Sequence, residues 1–355
     1  MSVEMSNVLA PLLQSLTALE FLARHLDPLV IESVIEGIGT PDYGLRVARR
    51  EVENDPFILQ TSARQLLVAS DEALAAFDGI RSAIAQGDDL YALFRALRHL
   101  PRAQEALYPL AAELAAANSY FLDRSLRKNV GVLARTAQSA RDGETGVMHF
   151  DNEPGSRGGY SLYVPESYTP EHAWPLVIAL HGGSGNGRGF LWSWLRDARS
   201  FGAVLVAPTA IGRTWALMGD DADTPNLNRI LDHVSEHWRI DQQQLLLTGM
   251  SDGGTFCYVS GLEAGSRFTH LAPACATFHP LMAAMADPER ARGLPIYMVH
   301  GERDWMFPVE VARHARQALA NAGANVRYQE IEDLSHCYPR EINKEFLAWM
   351  RADHG

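Results

Sequence analysis

From residue 146 onward, short apolar or β-branched runs alternate with stretches of helical periodicity, and few folds accommodate that alternation. The runs at 146–150, 160–164 (YSLYV), 176–181 (LVIALH), 203–207, 244–248 (QLLLT), 270–275, 295–300 (PIYMVH) and 326–331 predict strands. The intervals 188–201, 224–239, 252–263, 280–291, 308–322 and 340–352 predict helices. Strands alternating with helices imply βαβ units and a mostly parallel sheet. LVIALH and PIYMVH are almost uninterrupted apolar runs, as expected where helices cover both faces of the sheet.

The preceding 141 residues read differently. Val8, Leu9, Leu12, Leu13, Leu16, Leu19, Phe21, Leu22 and Leu26 recur at helical spacing and predict a helix over 6–36, with Asp27-Pro28 as a break or kink. Further helices are predicted near 45–54, 56–86, 88–98 and 101–128, with Gly79 and Gly87 as interruptions or ends and Pro101 and Pro109 as first-turn prolines. The segment 129–146 reads as a linker. Only 6 of the 28 glycines fall in 1–141, consistent with helix there and tight turns beyond. Two domains are expected: a helical region, 1–141, serving as a cap or oligomerisation module, and an α/β domain, 142–355.

Composition excludes several classes. With 31 Lys+Arg against 43 Asp+Glu the net charge is −12, which opposes a nucleic-acid partner. Three scattered cysteines, Cys257, Cys275 and Cys337, form no disulfide framework or metal spacing and suit a reducing compartment. The N-terminus, with Glu4 and no basic segment, does not read as a secretory signal, and no apolar run reaches the ~18 residues of a membrane span. A cytoplasmic location without membrane insertion is the expectation.

The chemistry concentrates in three loops. Gly249-Met250-Ser251-Asp252-Gly253 is a G-x-S-x-G set between the strand QLLLT and a helix, the context that puts a serine on a sharp turn at a helix N-terminus. A serine hydroxyl needs a base, and that base needs an orienting carboxylate. Asp304 follows the strand PIYMVH and His336 follows the strand over 326–331, giving Ser, Asp and His in order at strand ends on one edge of the sheet. Glu302 is the weaker alternative to Asp304, Asp333 is too near His336 to come from a separate loop, His300 more simply orders its loop, and His279 is a pocket candidate. His25, His99 and His354 read as surface or structural. The third loop, HGGSGNG at 181–187, brings backbone amides close to a substrate. Gly183, with Ser184 next, would pair with the Asp252 amide as an oxyanion hole.

A distractor also occurs. His233-Val234-Ser235-Glu236-His237 matches a zinc-peptidase pattern, but Ile230, Leu231, Val234 and Trp238 should pack this helix on the sheet. A packing or surface role is the expected one, and no metal is assigned.

LHGGSGNG, GMSDGG, HGERDWMFPV and LSH, in this order and at these strand ends, resemble the α/β-hydrolase superfamily. Within it they are similar to the esterases grouped around polyhydroxybutyrate depolymerases, feruloyl esterases and phospholipase/carboxylesterases. YSLYVPESY, VAPTA, Trp215 and DTPNLNRILDHV add to the resemblance, which covers about 145–352 and leaves the first ~140 residues outside it. It implies an α/β-hydrolase fold preceded by an all-α region, and a cofactor-free serine hydrolase acting on a small-molecule ester. Ser251 would be the nucleophile, His336 the base and Asp304 the acid. Amide, peptide or C–C cleavage on the same triad, or a non-catalytic binding protein, are the alternatives. Trp192, Trp194, Trp215, Trp305, Met306 and Phe307 are candidates for either a hydrophobic pocket or core packing, with Trp215, Trp305 and Met306 assigned to the substrate. The N-terminal helices could also carry a homodimer contact.

Overall fold

The computed structural model describes residues 3–52, 61–87, 90–141 and 143–352. The ends of the helices expected over 45–54, 56–86 and 88–98, the expected boundary at 142, and His354 lie outside the described residues. The chain divides into two compact units, Met1–Ser139 and Ala140–Gly355.

The first unit is helical: α1 (Val3–Arg24), α2 (Ile31–Ile38), α3 (Tyr43–Glu51), α4 (Thr61–Gln86), α5 (Leu90–Leu97), α6 (His99–Leu107), α7 (Ala115–Tyr120) and α8 (Val130–Thr136). In α1, Val8, Leu12, Leu16, Leu19 and Leu22 are buried in one stripe, which packs on α3 and α4. The helix expected over 6–36 is interrupted because Asp27 Oδ1 accepts the Leu29 N–H at 2.9 Å, forming a turn just before the chain re-enters helix. Gly79 does not interrupt α4. A side chain there would put its Cβ 2.8 Å from the Ala96 Cβ, so the glycine lets α5 approach closely, while Gly87 at φ +63° ends the helix. The single helix expected over 101–128 is broken by a 3₁₀ turn, Tyr108–Ala112, whose Pro109 has no N–H to continue the helical ladder. The expected linker over 129–146 contains α8, capped by Asn129 Oδ1 accepting the Val132 N–H at 3.0 Å, followed by the start of the sheet.

Among the described residues the second unit is built on eight strands: β1 (Gly146–Phe150), β2 (Tyr160–Val164), β3 (Trp174–Leu180), β4 (Val204–Pro208), β5 (Ile240–Met250), β6 (His270–Ala274), β7 (Pro295–Gly301) and β8 (Asn325–Ile331). They form one sheet in the order β1-β2-β4-β3-β5-β6-β7-β8. β1 and β2 pair antiparallel with their neighbours, and every pairing from β4 to β8 is parallel. The helices are α9 (Gly187–Phe201), α10 (Asp223–His237), α11 (Asp252–Gly261), α12 (Pro280–Met285), α13 (Pro288–Ala291), α14 (Val309–Asn321) and α15 (Asn343–Ala352). The helix expected over 280–291 is split because Asp287 starts a new one at Pro288, its Oδ1 accepting the Arg290 N–H at 2.7 Å. The start of the helix expected over 340–352 is instead a 3₁₀ turn, Arg340–Ile342.

β3 is buried along nearly its whole length, as its unbroken apolar sequence requires. Leu176, Ile178 and Leu180 of β3 join Leu227, Ile230, Leu231 and Val234 of α10 in one core. Each such side chain contributes about 2–3 kcal/mol of hydrophobic stabilisation. Parallel pairing sets the C-terminal ends of β3 to β8 on one edge of the sheet, and all three chemistry-bearing loops leave from that edge. Among the described residues, no helix is long and apolar enough to cross a membrane.

Candidate active site

Ser251 occupies a single-residue turn between β5 and α11 with φ +56° and ψ −121°, a conformation that side chains avoid unless their surroundings impose it. Here the surroundings do. The Ser251 N–H donates to Ala274 O at 3.0 Å, and the Thr255 N–H donates back to Ser251 O at 2.8 Å. The flanking glycines are required by close backbone approach. A Cβ at Gly249 would lie 2.6 Å from Gly253 C, and one at Gly253 would lie 2.5 Å from Leu180 O. The turn holds Ser251 at the N-terminus of α11, where unpaired backbone N–H groups favour negative charge.

His336 and Asp304 reach the same point from the loops after β8 and β7. The Ser251 hydroxyl lies 3.0 Å from His336 Nε2, and His336 Nδ1 lies 2.9 Å and 3.0 Å from the two oxygens of Asp304. A carboxylate can only accept, so Nδ1 carries the proton and Nε2 is left as the acceptor for the serine. Asp304 is itself fixed, its Oδ1 accepting the N–H groups of Met306 (3.0 Å) and Phe307 (2.8 Å). His300 does order this loop: its Nε2–H donates to Phe307 O at 2.8 Å, and the ring also lies 3.5 Å from Asp304 Oδ2. Relative exposures of 6% for Ser251, 7% for Asp304 and 4% for His336 keep the three groups from competing water. Glu302 is exposed and its carboxylate takes no part in this array.

The loop 181–187 lies against the serine turn. A Cβ at Gly182 would be 3.6 Å from the Ser251 Cβ, and one at Gly183 would be 2.8 Å from Asp252 Oδ2. Ser184 is exposed and also has a positive φ, +56°. The Asp252 carboxylate accepts the Thr214 hydroxyl, a partner that no spacing in the sequence singles out. Of the aromatic candidates, Trp305 (41% exposed) stands edge-on to the His336 ring at 6.0 Å, and Met306 beside it is 39% exposed. Phe307 packs edge-on to His336 at 5.1 Å. Trp215 is 2% exposed, stacks on Phe256, and donates its Nε1–H to His181 O at 2.7 Å, so it presents no open surface. Trp192 and Trp194 are buried in α9.

Three of the other histidines have local tasks. His279 caps α12 by accepting the Leu281 N–H at 3.2 Å. His233 bonds to the Tyr160 hydroxyl, and His237 Nδ1–H donates to His233 O at 2.8 Å, the packing role expected for the H-x-x-E-H segment. Burial and the neighbouring His237 hold the His233 imidazole below its ordinary pKa.

Residues 219–350 match the family model of the phospholipase/carboxylesterases. The second unit has the α/β-hydrolase fold. Across 130 residues the chain is 26% identical to a probable feruloyl esterase C of Aspergillus clavatus, over 35% of the chain and 46% of the relative. Across 138 residues it is 30% identical to a poly(3-hydroxybutyrate) depolymerase of Ralstonia pickettii, over 32% of the chain and 28% of the relative. The chain thus spans less than half the length of either relative. A thermostable esterase of known structure is 22% identical with a TM-score of 0.47, over 58% of this chain and 62% of that one.

Proposed function

We propose that the α/β-hydrolase unit is a serine hydrolase that cleaves a small-molecule carboxylic ester through an acyl-enzyme on Ser251. The observation that carries this reading is the unbroken line of hydrogen bonds from Ser251 Oγ through the His336 ring to Asp304. In the proposed reaction, His336 Nε2 takes the hydroxyl proton as Ser251 Oγ attacks the acyl carbonyl. Asp304 holds the imidazole tautomer and stabilises the imidazolium. The amides of Gly183 and Asp252, with Ser184 beside them, receive the developing oxyanion. The imidazolium then protonates the leaving alcohol, and a water deprotonated by His336 releases the acid and restores Ser251.

Trp305, exposed and edge-on to the His336 ring, and its exposed chain neighbour Met306 are proposed to line the acyl or alcohol site. The relatives' names, a feruloyl esterase and a hydroxybutyrate polyester depolymerase, favour an ester over an amide. The test is a panel of p-nitrophenyl esters set against aminoacyl p-nitroanilides, with fluorophosphonate labelling of wild type and Ser251→Ala. Ester turnover and labelling that both vanish in Ser251→Ala support the proposal. Ester turnover retained by Ser251→Ala overturns it.

A further inference from the structure

We infer that His181 is a positioning residue that aims the oxyanion donor of the 182–184 loop. The inference rests on the serine-hydrolase reading above, which gives that donor its task.

His181 directly follows β3 and is buried, 1% exposed, yet among the described residues it makes no hydrogen bond to Ser251, Asp304 or His336. Its ring is instead committed on both sides. Nδ1 lies 2.7 Å from Gly182 O, which can only accept, so Nδ1 carries the proton. Nε2 then has a free lone pair and accepts the Ala210 N–H at 3.1 Å. The two bonds demand the same neutral tautomer, and burial favours that uncharged form.

The consequence lies in the peptide that joins Gly182 to Gly183. Its carbonyl accepts two donors, the His181 Nδ1–H and the Gly185 N–H at 3.0 Å. In a planar trans peptide the C=O and N–H point in opposite directions. Holding the Gly182 carbonyl inward therefore turns the Gly183 N–H outward from the loop. The preceding peptide is pinned as well, because the Trp215 Nε1–H donates to His181 O at 2.7 Å. Trp215 and the His181 ring lie 4.9 Å apart, so the indole both anchors and packs the imidazole. The loop is rich in glycine and would otherwise be free to rotate these peptides. His181 thus supplies the orientation that the glycines do not, and Trp215 acts behind the loop rather than in the substrate site.

The test uses the full chain and two variants. His181→Phe keeps the buried ring but has no donor for Gly182 O. His181→Asn restores a donor near the Nδ1 position, but not the acceptor for Ala210. Steady-state ester hydrolysis should show kcat lower by about 10- to 100-fold in His181→Phe with KM within about threefold, less than the loss of a whole oxyanion donor. His181→Asn should recover most of that loss. The Ki of a trifluoromethyl ketone should rise in His181→Phe in proportion to the fall in kcat/KM, because its tetrahedral adduct needs the same donor. Active-site titration with a fluorophosphonate normalises every rate to folded sites, so a poorly folding variant still gives an answer.

A kcat in His181→Phe equal to wild type, a loss that His181→Asn does not recover, or a trifluoromethyl ketone Ki that stays constant while kcat/KM falls would overturn the positioning role. Wild-type protein that cleaves no ester would instead overturn the hydrolase reading and the inference with it.

Discussion

His336 Nε2 lies 3.0 Å from Ser251 Oγ although the two residues are 85 positions apart in the chain. The contact is produced by the sheet. β5 and β8 are parallel strands three places apart in strand order, and each delivers its following loop to the same edge. If this contact activates the hydroxyl, removing the oxygen should abolish the reaction while leaving the fold intact. Ser251→Ala is expected to lose at least ~10³-fold in kcat, measured by p-nitrophenyl ester hydrolysis on protein whose circular dichroism matches wild type.

Asp304 accepts four bonds: two from His336 Nδ1 and one each from the Met306 and Phe307 amides. Asparagine at 304 keeps the shape but presents an N–H where the imidazole needs an acceptor, favouring the wrong tautomer. A fall in kcat of about 10³- to 10⁴-fold with little change in KM is expected for Asp304→Asn. A loss below tenfold would mean that another group orients His336.

Gly183 faces the Asp252 carboxylate, and an added Cβ would sit 2.8 Å from Oδ2, closer than contact allows. Thr214 holds that carboxylate in place, so it cannot simply swing aside. Gly183→Ala should push the loop away from Ser251 and lower kcat by about tenfold or more, and Gly183→Ala with Asp252→Gly should recover part of the loss. Equal kinetics for Gly183→Ala and wild type would remove Gly183 from the oxyanion assignment.

Burial lowers the His181 pKa from 6.5 to about 4. The unfolded chain therefore binds a proton that the folded chain refuses between these values. Stability from this group is fully present above pH 6.5, falls as the pH drops toward 4, and levels off below it. The full loss is on the order of 3 kcal/mol. Urea midpoints from pH 7 to pH 4 should decline less steeply in His181→Phe than in wild type, and parallel curves would show that His181 does not carry this dependence.

Much of the fold can be read from the residues because period and punctuation agree. YSLYV is bounded by Gly159 and Pro165 and becomes β2 with the expected limits, and the LVIAL of LVIALH, buried on both faces, becomes the heart of β3. Ser251 and Asp304 are legible for the same reason, since each follows a strand whose apolar run is plain, and His336 is legible from the alternation of VRYQEI before it. Local chemistry hid the rest. Nothing in the periodicity of α4 distinguishes Gly79 as a site of helix packing from Gly79 as a break, and only Ala96 across the interface decides it. Asn129 could begin a helix or a turn until Val132 supplies the N–H it caps. Trp215 looks equally suited to a pocket or a core, and the direction of one indole N–H, toward His181 O, separates the two. Thr214 and His181 act through backbone and carboxylate partners distant in sequence, which spacing cannot reveal.

The serine, acid and histidine leave from the ends of β5, β7 and β8, while the connections after β4 and β6 bear none of the three. Those two connections carry exposed apolar side chains, Ile211 and Met218 on one and Leu281 on the other, at the same edge of the sheet. The architecture separates a constant engine from exchangeable fittings. Ile211, Met218 and Leu281 are where substitution could change which molecules are accepted, whereas Thr214 and Trp215, which brace Asp252 and His181, have to stay.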